Sequence, residues 1–258
     1  MSALNYVMIV LAVGSIAGCS SSTISPWEGR DLRFGVEALV PPFESRNAQG
    51  ELVGLNIELG NALCAELDVK CHWVDQDYAT NIDALEAGRF DAIMPMSATP
   101  LRRQRIEFTD SLYTLDSRLV TRVNRNLTPD PASLEGKRVG VLAGTSRQAF
   151  AKARWETAGV VISTFQFNDE LIRSLMAGEI DATLQDTIEI SQALLDTPQG
   201  DGFGFSGPPV KDELLGSGIA IGVRQSDTTL RIALNSALLT LKESGQYADI
   251  VNRYLQAE

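Results

Sequence analysis

Residues 85–92 read LEAGRFDA, and residues 175–182, ninety positions later, read LMAGEIDA. In each fragment an apolar helix end meets a glycine, which tolerates the left-handed conformation that stops a helix, and the chain then enters a strand. A stop-and-entry signal that occurs twice predicts two βαβ units of similar build. Upstream of the first copy, the apolar run at Leu32, Phe34 and Val36 predicts a strand, stopped by Pro41 and Pro42, with a turn at Asn47 to Gly50. The period then changes: Leu55, Leu59, Leu63 and Leu67 recur every four residues, predicting an amphipathic helix with Asn56 as its N-cap. Val69 to Val74 is the next predicted strand, Asn81 to Ala87 a helix ended by Gly88, and Ala92 to Met94 a further strand. Around the second copy the same grammar predicts a strand at Arg138 to Leu142, a helix over Ser146 to Ala158 and a strand at Val160 to Phe165. A helix over Asn168 to Ala177 and a strand at Ala182 to Gln185 follow. The tail adds a strand at Ile219 to Val223, a long helical pattern through Leu230, Leu234, Leu238 and Leu241, and a short helix through Ile250 and Tyr254; it is expected to return to the first unit. This alternation is that of an α/β chain with mostly parallel sheets.

The chain has 258 residues, enough for two modest domains with real cores. Hydrophobic residues make up 44% and charged residues 21%, and no stretch supplies the roughly 20 uninterrupted apolar positions of a spanning helix with its flanks, which argues against a multispan membrane protein. Asp and Glu outnumber Lys and Arg by 33 to 22; the net charge of −11 repels phosphate backbones, so nucleic acid is not an expected partner. The single histidine, His72, lies between Cys71 and Trp73 in an apolar run and reads as a strand position. Histidine triads and His-rich metal sites would have to pass through it, so neither a metal nor another cofactor is implied.

Residues Ala3 to Ala17 are mostly apolar and run into Ile16, Ala17, Gly18 and Cys19, followed by the small polar stretch SSSTISP. The pattern resembles a lipoprotein signal, in which cleavage precedes the cysteine and a lipid on its sulfur tethers the mature chain. Residues 1–19 are then the signal and 20–30 a polar leader. The opening MSALNY lacks the Lys or Arg usual in such signals, and the alternatives are a plain signal peptide with a chance cysteine or a misassigned start. Either kind of signal predicts export. Cys64 and Cys71 remain; in an oxidising compartment they can pair, closing a short loop worth about 2.5 kcal/mol on the chain-entropy model, with a metal site the alternative.

In open α/β sheets, ligands collect outside the carboxyl ends of the strands. Glu37 follows the first predicted strand, Ser97 and Arg102 the one ending at Met94, Thr145 and Ser146 the one ending at Leu142, and Asp186 the one ending at Gln185. That set suits a zwitterion. Arg102 can grip a carboxylate through two parallel hydrogen bonds, amides at a helix start add donors, and Asp186 with the Ser97 hydroxyl can receive an ammonium group.

The segments GVEALVPPFES, GELVGLNIELGNALC, MSATPLRRQRIEFTD, SLEGKRVGVLAGTSRQAF, AGEIDATLQD and GPPVKDELLGSGIAIGVR carry a resemblance that covers about residues 31–256. They resemble the amino-acid-binding proteins of ABC importers, bacterial extracellular solute-binding proteins of family 3, and especially the lysine/arginine/ornithine and histidine binders. The resemblance implies a periplasmic-binding-protein fold of type II. Lobe one would be residues 31–114 plus 219–258 and lobe two residues 118–210, with hinges at 115–117 and 211–218 that close over one amino acid. It also implies a monomer in the periplasm or another extracytoplasmic space, delivering its ligand to a membrane permease, and it includes the Cys64 and Cys71 spacing. By the same resemblance, Arg102 and the Ser146 amide hold the ligand α-carboxylate, and Asp186 and Ser97 the α-ammonium. Tyr78 stacks on the side chain, Glu37 meets its basic end, and Leu142 and Thr145 line the pocket.

Three departures bear on specificity. Val40 stands where the basic-amino-acid binders usually show a second ring, Pro95 replaces a serine in a stretch one residue shorter, and Arg147 stands where glutamine is usual. The preference for arginine, lysine or ornithine therefore rests on Glu37, with histidine or an opine open. The competing activity is that of a cyclohexadienyl dehydratase, an enzyme that resembles these binders. It needs a general acid, and the sequence offers no cleft carboxylate beyond Glu37 and Asp186.

Overall fold

The computed structural model describes residues 31–255; Cys19, the predicted signal and the leader lie outside the described residues. In chain order the elements are β1 (Asp31–Val36), β2 (Ser45–Arg46), β3 (Leu52–Val53), α1 (Leu55–Glu66), β4 (Lys70–Asp75), α2 (Asn81–Glu86), β5 (Ala92–Ser97) and β6 (Ile106–Phe108). Next come β7 (Ser117–Arg122), α3 (Pro131–Leu134), β8 (Arg138–Leu142), α4 (Ser146–Phe150), β9 (Val161–Phe165), α5 (Asn168–Ala177), β10 (Ala182–Asp186), α6 (Thr187–Ile190) and β11 (Phe203–Val210). The chain ends with β12 (Ile219–Arg224), α7 (Thr228–Glu243) and α8 (Gln246–Leu255).

Two five-stranded sheets organise these elements. The first has the order β4-β1-β5-β12-β6, with β1 parallel to β4 and β5, and β12 antiparallel to both its neighbours. The second has the order β11-β7-β10-β8-β9, parallel at β10-β8-β9 and antiparallel at β7. The chain passes from the first sheet to the second just before Ser117 and returns after Val210, so the C-terminal strand lies between β5 and β6.

The leucine period does what the sequence requires: Leu55, Leu59 and Leu63 of α1 are fully buried against Phe34 and Leu234, each contributing about 1.5–3 kcal/mol. The cap is not Asn56, however. Gly54 occupies that position at φ 124°, where a Cβ would meet the Phe43 carbonyl at 2.4 Å. Asn56 lies inside the helix, wholly buried, and its amide is used by other side chains. The second sheet has its own core of Leu119, Val139, Val141, Trp155 and Leu184.

The two stop signals match in the folded chain, Gly88 at φ 73° and Gly178 at φ 74°. The helix expected over Ser146 to Ala158 does not continue as an α-helix: after Phe150 it widens into a π-turn over Ala151–Trp155 and ends in a 3₁₀ turn at Gly159. A wider turn brings residues five apart onto one side, and here it sets Trp155 edge-on to Phe150, ring centroids 5.1 Å apart. Cys64, near the end of α1, is disulfide-bonded to Cys71 of β4, their Cα atoms 5.8 Å apart.

Candidate functional site

The strands of both sheets aim their carboxyl ends at one cleft of about 850 Å³ measured to its open mouth. From the first half come Glu37 after β1, Tyr78 after β4 and Ser97 at the end of β5; from the second come Leu142 at the end of β8, Thr145 before α4 and Asp186 at the end of β10. Ser146 faces a neighbouring cavity that shares Ser97, Leu115, Arg147 and Ile219 with the first. Arg102 lines neither. It is buried, with one guanidinium N–H donated to the Ser97 carbonyl (2.9 Å) and another across the cleft to the Gly144 carbonyl (2.8 Å), and its carbon lies 5.5 Å from the Tyr78 ring centre. Its guanidinium has further N–H groups to donate.

Local chemistry fixes these side chains. The Thr145 hydroxyl donates to the Leu142 carbonyl at 2.7 Å and accepts the Gln148 amide, capping α4. Asp186 caps α6, its Oδ1 accepting the Glu189 amide at 2.8 Å, while Oδ2 lies 3.6 Å from the Arg147 guanidinium. Glu37 accepts the Tyr78 amide at 3.3 Å, and burial raises its carboxyl above the ordinary value despite that bond.

The cleft holds more acid than the sequence indicated. Glu44, Asp77 and Glu189 line it together with Glu37 and Asp186, which corrects the expectation of only two carboxylates. Glu44 accepts the Asn56 side-chain amide at 2.6 Å, and the Tyr113 hydroxyl donates to Asn56 Oδ1 at 2.8 Å. Burial drives the carboxyls of Glu44 and Glu189, and the Tyr113 phenol, well above their usual values. Neither glutamate directly follows a strand. The available signal for Glu189 was its spacing three residues beyond Asp186, one helical turn on the same face. Arg147 points into the cleft rather than outward along its helix.

The family model described as "Bacterial extracellular solute-binding proteins, family 3" matches residues 32–257. The chain belongs to that family. A histidine-binding periplasmic protein of Salmonella typhimurium is 43% identical over 225 residues, 86% of each chain. The lysine/arginine/ornithine-binding periplasmic protein of Escherichia coli is 38% identical over 252 residues, covering 97% of this chain and 96% of the relative. Among solved structures, an ancestral arginine-binding protein bound to arginine superposes with TM-score 0.80 at 28% identity, over 88% of this chain and 98% of the other. These relatives are periplasmic binding proteins rather than enzymes. The chain's α/β architecture, two mostly parallel sheets with helices about them, is that of its structural neighbours.

Proposed function

We propose that this extracytoplasmic solute-binding protein captures a free amino acid with a cationic side chain, arginine, lysine or ornithine, and delivers it to the membrane permease of an ABC importer. One observation carries the reading: the cleft between the two sheets is lined by five carboxylates (Glu37, Glu44, Asp77, Asp186 and Glu189) and one guanidinium, Arg147. A lining so biased favours a cation, and Asp186 facing Ser97 from the opposite half suits an α-ammonium group. Arg102, with N–H groups left over, and the Ser146 amide take the α-carboxylate. Tyr78 stacks on the side chain, Glu37 meets its basic end, and Leu142 and Thr145 complete the walls. The halves close about residues 115–117 and 211–218. Lobe one is 31–114 with 219–258, lobe two 118–210, and the working unit is a monomer held in the periplasm, with Cys19 as a lipid anchor.

The test is a thermal-shift panel. A ligand at a hundredfold excess over its Kd stabilises by about 2.7 kcal/mol, and cationic amino acids lead the panel. Arg102→Ala and Asp186→Ala remove the shift, whereas Glu37→Ala changes the ranking among ligands. A panel in which no amino acid moves the melting temperature, or an Asp186→Ala protein that binds like the parent, refutes the reading. Arg147 in the lining favours one further class, an amino acid with an extra carboxylate such as an opine, and the same panel separates it.

A further inference from the structure

We propose that Glu44 and Glu189, one from each half of the protein, form a second acidic subsite that takes the terminal cationic group of the ligand side chain. The proposal rests on the cationic-amino-acid reading above. Both residues line the cleft, and both are buried, 4% and 3% exposed. Glu189 Oε1 is buried with no hydrogen-bond partner. Folding alone leaves that atom unexplained, because a buried polar atom without a partner is costly and a glutamine or leucine would fill the same space. Arg147, the guanidinium on that wall, stands against Asp186, and although its charge reaches Glu189 it leaves the Oε1 atom without a hydrogen bond. On the facing wall Glu44 is oriented rather than free: Asn56, itself held by Tyr113, fixes one carboxylate oxygen. Glu37 and Asp186 lie near enough for their charges to bear on both glutamates.

A guanidinium or ammonium group arriving between the two acids makes charge-assisted hydrogen bonds to both halves at once. The cation thereby supplies the partner that Glu189 lacks and ties closure of the cleft to side-chain charge. Burial raises both carboxyls well above their ordinary values in the empty protein, and an arriving cation favours their ionised form, so binding also favours proton release.

Calorimetry with L-arginine and with L-citrulline, its uncharged isostere, in two buffers of different ionisation enthalpy tests this. Arginine binds tighter than citrulline to the parent and releases protons. Glu189→Gln weakens arginine by about tenfold or more, leaves citrulline within about twofold, and lowers the proton count; Glu44→Gln acts in the same sense. An arginine-to-citrulline ratio and proton count unchanged in Glu189→Gln, with the parental melting temperature retained, overturn the subsite. Should Glu44→Gln fail to fold, Glu189→Gln alone decides. A parent protein that binds no basic amino acid instead overturns the functional reading on which the subsite depends.

Discussion

Glu44 and Glu189 are equally buried, yet the fold treats them differently. Glu44 sits in a relay that begins at the Tyr113 hydroxyl and passes through Asn56, a residue placed inside α1 and sealed from water. Glu189 receives nothing at Oε1 and is flanked by another acid, Asp186. The first arrangement holds its acid in place with or without a ligand, since removing any member strands the others. The second is tolerable only where something else completes it. Burial alone therefore does not say what completes an acid: the fold orients Glu44 in advance, whereas Glu189 Oε1 is left for a ligand.

The comparison holds only while the two walls meet, and Gly144 is where they touch. It sits at φ 70°, its carbonyl receives Arg102 from the other half, and a Cβ there would lie 2.6 Å from the Ala79 Cα. Gly144→Val should separate the walls, lowering affinity for the best amino acid by about a hundredfold or more in calorimetry, because both head-group and side-chain contacts need a closed cleft. An affinity within about threefold of the parent would mean that the halves close without this contact.

The contrast itself is sharpened by removing one partner from each side. Asn56→Leu leaves Glu44 buried without its donor and should cost about 1–3 kcal/mol, read as a lower urea midpoint. Glu189→Leu removes a poorly satisfied acid from a buried site and should be neutral or stabilising by about 1 kcal/mol while arginine binding falls. Equal losses of stability in both variants would erase the distinction.

Much of the fold was legible because hydrophobic period and glycine stops act locally. Arg138–Leu142 and Asn168–Ala177 fold over the spans their patterns indicate. What was not legible depended on distant partners. Phe203–Val210 contains Gly204, Gly207, Pro208 and Pro209, which argue against a central strand; it forms as an edge strand, where a missing N–H is harmless. Ser117–Arg122 mixes polar and apolar residues: it lies between β11 and β10, with Leu119 and Val120 fully buried while Arg118 and Arg122 are only partly so. Asn56 resembles a cap by type and place, and only the approach of Glu44 and Tyr113 from elsewhere gives it its role. In the same way, reading the residues next to strand ends finds Glu37 and Asp186 but misses Glu44, which follows the Pro42–Phe43 turn, and Glu189, one helical turn further on.

Both acids also make the stability of the empty protein depend on pH. A carboxyl whose folded value is raised binds more protons folded than unfolded, so its stabilisation is complete below the unfolded value of about 4.3 and is lost as pH rises toward the folded value. The ligand-free protein should therefore become less stable as pH rises from about 4.3 through the mildly acidic range, by no more than about 1.4 kcal/mol per pH unit for each such group. Asp91 and Asp181, whose carboxyls are held below the usual range by Arg33 and by Arg138 with Arg125 against the pull of burial, lose their stabilisation at the acid end, outside that window. Glu37 contributes within it in the same direction, so the parent alone does not isolate the pair. Urea midpoints from pH 4.5 to 7 for the parent, Glu189→Gln and Glu44→Gln resolve the contributions. Each substitution should flatten the decline, and saturating arginine should flatten it in the parent, because the cation favours the ionised glutamates. A parent whose stability rises steadily over this interval would mean that both acids are already ionised in the empty cleft, and the difference between them would then lie in hydrogen bonding alone.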